Sequence, residues 1–545
     1  MNLTSLLILI LSMALLLLST FMLFNNIFIY FTLPIEIMIS FQMQISTMLD
    51  WMSCMFMSTV LMISSMILMY SMYYIPNKEH KQFFLMLMMF ILSMMILILS
   101  NNILLMLLGW DMLGISSYIL VIYYQNYSTA SCGSITLLSN RIGDIMILLS
   151  ISMLLSLMNW ELNMNESFSL LILIMLMLAS CTKSAQFPFS AWLPMAMSAP
   201  TPISALVHSS TLVTAGIYLM IRMSSIIHPM MLISLMMISS ITALYAGMSA
   251  NWEQDMKKII ALSTLSQMAM MMFAVSMKSS PLSYFHLIIH AYFKSLMFMC
   301  AGIMIHESSY QDMRMMKMNS NFNPSINSIL GISNMALMGL PFTSGFFSKD
   351  SIIENMISSK LESLLTLMMI MSIGMTSSYS LRMMYLSNKS LIKNKPDSIN
   401  HTNIYSNNPI ILMSTTPIIL GTLMLWMMNP QHMFMFPNYY KMLIIMTLIT
   451  GFLIGMLLSF KSYLYKSLGQ SSISLWFTHF LSTNLSTSFY PLMNISFEND
   501  KNWQENYGPN KSFNKTSKMS LFPETSKSST LLTLMMICLL PMMLI

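Results

Sequence analysis

The sequence predicts an all-α polytopic membrane protein, and three observations carry that expectation. Of its 545 residues, 56% are hydrophobic and only 8% are charged. A soluble chain carries roughly 25% charged residues, so a surface this poor in charge needs lipid as its main solvent. Apolar runs of spanning length recur from one end to the other. The 25 basic and 19 acidic residues fall in short connections and, more tellingly, singly inside those runs.

A spanning helix needs about 20 apolar residues. Such runs lie near 3–24, 51–75, 83–100, 102–124, 132–157, 168–193, 199–222, 226–248, 259–277, 281–305, 325–347, 361–386, 409–428, 441–460 and 528–545. This predicts about fifteen transmembrane helices in one contiguous bundle, because most connections are short. Residues 387–408, with Lys389, Lys393, Lys395 and Pro396, read as an exposed loop. Residues 462–527 are Ser/Asn-rich and mixed in charge; they read as a surface segment whose amphipathic pattern is poor.

Composition also excludes. The net charge of +6 forms no basic patch with interleaved aromatics, so nucleic acid is not the partner. Cys54, Cys132, Cys181, Cys300 and Cys538 sit singly, without a CxxC pair, which argues against an iron–sulfur cluster, a zinc site or a disulfide framework. The 72 methionines are flexible apolar filler, and a code that reads an Ile codon as Met would produce the same bias, pointing to mitochondrial coding. Residues 1–24 contain no Lys or Arg, and their run is long enough to span rather than be cleaved.

Prolines interrupt two runs beside lysines. Pro188 and Pro194 follow Lys183, with Pro200 and Pro202 opening the next span, and Pro341 and Gly345 precede Lys349. A proline frees backbone carbonyls, which at membrane depth must face protein or water. One such break is most simply a packing kink. Two, each beside a lysine, point to sites of the kind transporters build at the midplane.

The charges inside spans are the functional candidates, since each costs from about 2.5 to over 10 kcal/mol there. Asp111 follows Gly109-Trp110, and Asp144 lies three residues after Arg141, where a local ion pair is the plain alternative. Lys183 has no charged neighbour in its own helix. Desolvation disfavours its ammonium and a carboxylate from another helix, Asp111 first, favours it; a lysine held between the two loads and releases a proton. A permanent salt bridge is the alternative. His208 is alone in its span, and a lone buried histidine is more often a hydrogen-bonded core residue than a relay. His286, His290 and Lys294 recur at i, i+4 and i+8, which puts them on one helix face. The two histidines also have metal-ligand spacing, but no third ligand accompanies them and Lys294 opposes a cation. A proton ladder suits them better. Lys349 and Asp350 complete the set.

These residues stand in motifs: Gly109-Trp110-Asp111, Asn140-Arg141-Ile142-Gly143-Asp144, Lys183-Ser184-Ala185-Gln186, Trp192-Leu193-Pro194, Ala199-Pro200-Thr201-Pro202, His208-Ser209-Ser210-Thr211, Asp255-Met256-Lys257-Lys258, His286 to Lys294, and Gly345-Phe346-Phe347-Ser348-Lys349-Asp350. Nine in this order resemble the chain 5 family of mitochondrial NADH–ubiquinone oxidoreductase, an antiporter-like membrane subunit family. They are also similar to the large subunits of multi-subunit cation/proton antiporters. The specific part runs from about 49 to 354; many family members have Glu where Asp111 stands, and only one span precedes Asp50 where others have room for two.

The resemblance implies two inverted five-helix repeats, each with one broken helix, then a lateral helix and a last anchor. It divides the chain into N-terminal helices 1–82, half-channels 83–248 and 249–386, peripheral helices 387–461, a lateral segment 462–527 and an anchor 528–545. It makes Asp111 and Lys183 a gating pair, Asp144 an acidic modulator, and His208, His286, His290 and Lys294 the central relay, with Lys349 and Asp350 at the exit. The implied function is proton translocation coupled to electron transfer from NADH to ubiquinone across the mitochondrial inner membrane. This chain would hold no redox cofactor; NADH, FMN, iron–sulfur clusters and ubiquinone would be bound by other subunits of the hetero-oligomer. Outside that family the reading is a cation/proton antiporter subunit, or a haem protein, which needs paired histidines on facing helices.

Overall fold

The structure is a computed structural model that describes residues 2–38, 41–154, 160–162, 168–308, 310–316, 324–358, 363–388, 404–428, 438–460 and 466–519. The predicted anchor 528–545 and most of the predicted loop 387–408 lie outside the described residues. The chain divides into two compact units, 1–478 and 479–545.

In the first unit, α1 (Asn2–Asn25) leads into a hairpin of β1 (Ile29–Met38) and β2 (Phe41–Leu49). The strands pair antiparallel, Ile29 opposite Leu49, with an irregularity between Glu36 and Met38. A search for 20-residue apolar runs passes over this hairpin. Its signal is the period-two alternation Phe41-Gln42-Met43-Gln44-Ile45-Ser46, which belongs to a strand. Then come α2 (Trp51–Tyr74), α3 (His80–Leu99), α4 (Ile103–Val121), α5 (Tyr127–Leu154), α6 (Leu170–Lys183) and the single turn α7 (Trp192–Met195). The short α8 (Thr201–Ile203) passes through a π-helical stretch, Ser204–Thr211, into α9 (Leu212–Met223).

Next follow α10 (Pro229–Trp252), α11 (Met256–Ser276), α12 (Ser280–Ser308), the turn α13 (Met313–Met316), α14 (Pro324–Met338), α15 (Ser344–Ser358) and α16 (Ser363–Asn388). The unit closes with α17 (Ile404–Ser414), α18 (Thr416–Met428), α19 (Asn438–Phe460) and α20 (Lys466–Ile473). Among the described residues, 12 helices are long and apolar enough to cross a membrane.

Two of the apolar runs are broken. The 168–193 run becomes α6, an irregular stretch and α7, with Ala185 at φ 54°. The 325–347 run becomes α14 and α15, separated by Gly339 at φ 82° and Phe342 at φ 68°. The helices fall into two successive sets of five, α3 to α9 and α10 to α16, with the fourth member broken in each.

Burial places the centre of the bundle. The spans Thr201–Met223, Met256–Ser276 and Ser280–Ser308 are wholly buried, whereas α1 and α19 keep most of their surface outward. Helices that are apolar all round and buried all round form the axis of a large bundle. The charged candidates sit on and around that axis.

In the second unit, α21 (Thr478–Glu498) continues through a π-helical stretch, Asn499–Asn510, into α22 (Lys511–Met519). The 462–527 segment is therefore mostly helical where described, despite its weak sequence pattern.

Candidate functional site

Close helix crossings assemble the first cluster. A Cβ at Gly143 would lie 2.2 Å from Thr182 Oγ1, and one at Gly216 would lie 2.5 Å from the Ser180 carbonyl oxygen. Glycine is required at both points because α5 and α9 press directly on the end of α6. Asp144 follows Gly143, and Lys183 follows Thr182, so the first crossing brings acid and base side by side.

Lys183 is the last residue of α6 and has no solvent exposure. A cation suits that position, since the final carbonyls of a helix carry partial negative charge. Its Nζ donates to the Trp110 carbonyl at 2.7 Å and lies 4.4 Å from the Trp110 ring centroid. The break beyond it is satisfied internally, with Trp192 Nε1 donating to the Thr182 carbonyl at 3.0 Å.

The carboxylates are held elsewhere. Arg141 Nη1 lies 3.2 Å from Asp144 Oδ2 and 3.6 Å from Asp111 Oδ1. Asp144 is the more deeply buried, its side chain 6% exposed against 34% for Asp111. Among the described residues Lys183 makes no ion pair within 4 Å, so the permanent salt bridge weighed as the alternative is not the arrangement seen. The local Arg141–Asp144 pair, weighed as the plain alternative, does form, and it extends to Asp111 as well.

His208 lies in the π-helical stretch with both ring nitrogens buried and unpartnered, its ring centroid 6.3 Å from that of Trp192. Isolated π turns concentrate at functional sites. An ordinary core histidine has hydrogen-bond partners; this one has none.

The second cluster lies on α12. His286 Nδ1 pairs with Ser348 Oγ at 2.8 Å and Nε2 with Gln267 Oε1 at 3.1 Å. One turn on, the His290 ring nitrogens are buried and unpartnered, with the ring 6.3 Å from that of His286. Another turn on, the Lys294 ammonium donates to Ser263 Oγ. The i, i+4, i+8 spacing has produced one buried face, as the sequence implies.

Lys349, on α15, donates to the Leu337 carbonyl at 2.7 Å and to Thr376 Oγ1 at 3.2 Å. Leu337 belongs to the last turn of α14, so the ammonium meets a carbonyl that the helix break frees. A cavity of ≈ 320 Å³ adjoins both Lys349 and Asp350, walled by Ile353, Ile444, Leu448 and Phe452. Asp350, the next residue, is half-buried.

Three further cations escaped the sequence reading, Lys257 and Arg382 buried and Arg222 slightly exposed. Lys257 Nζ donates to the Ala199 carbonyl at 3.1 Å, spanning from α11 to the break before Pro200. As the second residue of its helix it reads as an interfacial lysine, and only the fold buries it. Arg222 Nη2 donates to Asp50 Oδ1 at 2.8 Å, and Arg222 Nε donates to Tyr218 Oη at 2.9 Å. Arg382 Nη1 donates to the Asn251 carbonyl at 2.5 Å and the Glu253 carbonyl at 2.9 Å, capping α10. The last two are structural, tying helix ends together.

The chain matches three family models in succession. Residues 35–85 match "NADH-Ubiquinone oxidoreductase (complex I), chain 5 N-terminus", residues 100–376 match "NADH:quinone oxidoreductase/Mrp antiporter, TM", and residues 379–545 match "NADH dehydrogenase subunit 5 C-terminus". It is 39% identical over 488 residues to the NADH-ubiquinone oxidoreductase chain 5 of Locusta migratoria, covering 84% of each chain. It is 38% identical over 504 residues to that of Aedes aegypti, covering 88% of this chain and 87% of the relative. Among solved structures, the Mrp complex from a Dietzia species matches with a TM-score of 0.71 at 21% identity, over 97% of this chain and 59% of that one, which shows a shared fold.

Proposed function

The chain belongs to the NADH-ubiquinone oxidoreductase chain 5 family, and from that membership we propose how its buried charges move protons. It is a multi-pass membrane-arm subunit of complex I in the mitochondrial inner membrane, and contributes to proton translocation coupled to electron transfer from NADH to ubiquinone. It works within a hetero-oligomer.

In our reading, Arg141 is the moving counter-charge of the first half. While it holds Asp111 and Asp144, Lys183 has only a carbonyl and a ring face to stabilise its ammonium, and its proton is ready to leave. When Arg141 withdraws, the carboxylates turn their field on Lys183 and it reloads. His208 takes the proton towards the axis, and His286, His290 and Lys294 pass it along one face of α12. Lys349 and Asp350 release it. The unpartnered nitrogens of His208 and His290 support this order, because each has the capacity to receive a bridging water. The observation that carries the reading is the buried Lys183 without a carboxylate within 4 Å, beside two carboxylates held by one arginine.

No redox cofactor belongs to this chain in the reading; NADH, FMN, iron–sulfur clusters and ubiquinone are bound by other subunits, consistent with five singly placed cysteines. The 462–527 segment and the 528–545 span are assigned to contacts with neighbouring membrane-arm subunits.

Lys183→Met tests the proposal, since methionine keeps the volume and removes the proton carrier. The assembled variant complex should lose proton pumping and the coupled NADH–quinone rate together. A fully assembled variant with unchanged pumping would overturn the role of Lys183.

A further inference from the structure

A cleft of ≈ 590 Å³ lies where α3 begins and α4 ends, lined by none of the residues assigned to the proton path. Its walls include Glu79, Gln82, Met86, Tyr118, Tyr123 and Tyr124. The ring of Tyr123 stands 84° to Phe83 at 5.6 Å and 75° to Tyr124 at 5.7 Å, so ring faces meet at near right angles. The Tyr123 hydroxyl donates to the Glu79 carboxylate, which keeps the acid beside those rings. Electron-rich ring faces and one carboxylate around a cleft are the chemistry that recognises an organic cation.

The position says where such a cation would come from. Glu79 precedes the first residue of α3, and Tyr123 and Tyr124 follow the last of α4, so the cleft opens at the boundary between water and hydrocarbon. From it two apolar stripes run along the outer face of the bundle. Leu85, Met89 and Leu92 on α3 are exposed, as are Ile119, Ile115 and Met112 on the antiparallel α4. Each stripe follows the i, i+3, i+4, i+7 spacing of a single helix face. Exposed Lys78 and Lys81 flank Glu79 in the chain and offer charge to a phosphate.

We propose that this cleft binds the trimethylammonium headgroup of one phosphatidylcholine molecule, whose acyl chains lie along the two stripes. A quaternary ammonium needs ring faces and a nearby negative charge but no hydrogen-bond acceptors. That suits a carboxylate already accepting from Tyr123 better than a primary ammonium, which has donors to satisfy.

The test quantifies lipids retained by the purified complex, using mass spectrometry after a fixed detergent wash. Glu79→Lys and Tyr124→Ala change exposed side chains, and native gels report whether the complex assembles. Each should lose a single tightly held phosphatidylcholine per complex, with ethanolamine and anionic lipids retained as in the parent. An unchanged phosphatidylcholine content, or a parallel loss of all lipid classes, would overturn the proposal. A second measurement needs no variant: a phosphatidylcholine analogue with a photoreactive headgroup, added to the parent complex, should label peptides covering 79–86 or 118–125. Labelling confined to other peptides would also overturn it.

Discussion

Adding one methyl group at Gly143 tests whether the crossing of α5 and α6 sets the distance between Asp144 and Lys183. In Gly143→Ala the new Cβ would meet Thr182 Oγ1 at 2.2 Å, against ordinary contact from 3.4 Å, so about 1.2 Å must be found. If the helices part, Asp144 and Lys183 separate by a comparable distance, and overpacking costs roughly 1–3 kcal/mol. If Thr182 rotates instead, its hydroxyl leaves the Ala179 carbonyl, to which it donates at 2.7 Å, at a cost of about 1 kcal/mol. The first outcome misplaces reacting groups by about 1 Å, which for a positioned proton transfer is worth up to about 100-fold in rate. The structure also supplies the rescue. The Thr182 Cβ lies 3.4 Å from the added carbon, so Gly143→Ala with Thr182→Ala restores ordinary contact. The assay is proton uptake by proteoliposomes containing the assembled complex, normalised to NADH oxidation. Parent-like pumping in the single variant, or a double variant no better than the single, would refute the reasoning.

Two further outcomes follow from the same geometry. Because Asp144 is buried and Asp111 a third exposed, Asp144→Asn should depress pumping more than Asp111→Asn, and Asp111→Glu should be milder than Asp111→Asn; equal pumping for Glu and Asn at 111 would show that its charge is not used. Arg222→Met strands Asp50 without its partner and should destabilise the assembled complex by about 3–5 kcal/mol in thermal denaturation, whereas Asp50→Leu with Arg222→Met recovers most of it. Burial alone pushes the Asp50 carboxyl up, but the Arg222 hydrogen bonds and charge outweigh it and hold it below the usual carboxylate range. The stability it contributes is thus complete above the ordinary carboxylate range and lost as pH falls through the lowered value; the gap between parent and Arg222→Met should shrink on acidification, and a gap that widened as pH fell would contradict that sign.

How much of this was legible in the sequence depends on the length scale of the signal. Long apolar runs announce spans because lipid imposes one period-free requirement over about 20 residues. The α12 ladder was equally plain, since i, i+4 spacing is a local property of one helix. The β-hairpin was missed because its signal is alternation rather than hydrophobicity. Pairings between helices were less accessible. The resemblance pairs Lys183 with Asp111, yet the Gly143–Thr182 contact presses the helix of Asp144 onto the end of the Lys183 helix, and no feature of residue 143 alone reports what it touches.

Lys257 shows the same limit from the other side. Its neighbours Asp255 and Lys258 form an exposed i, i+3 pair at 2.8 Å, so the local pattern reads as a helix start at the water boundary. Only the break before Pro200, some 58 residues earlier, supplies the carbonyl that draws Lys257 inward. Buried charge in this fold therefore serves two ends that composition alone does not separate. Arg222 closes helix termini on the Asp50 carboxylate, and Arg382 on the Asn251 and Glu253 carbonyls. Among the described residues, Lys183, His208 and His290 are buried with fewer partners than their chemistry allows, and in our proposal that shortfall fits them to exchange protons rather than only to hold helices together.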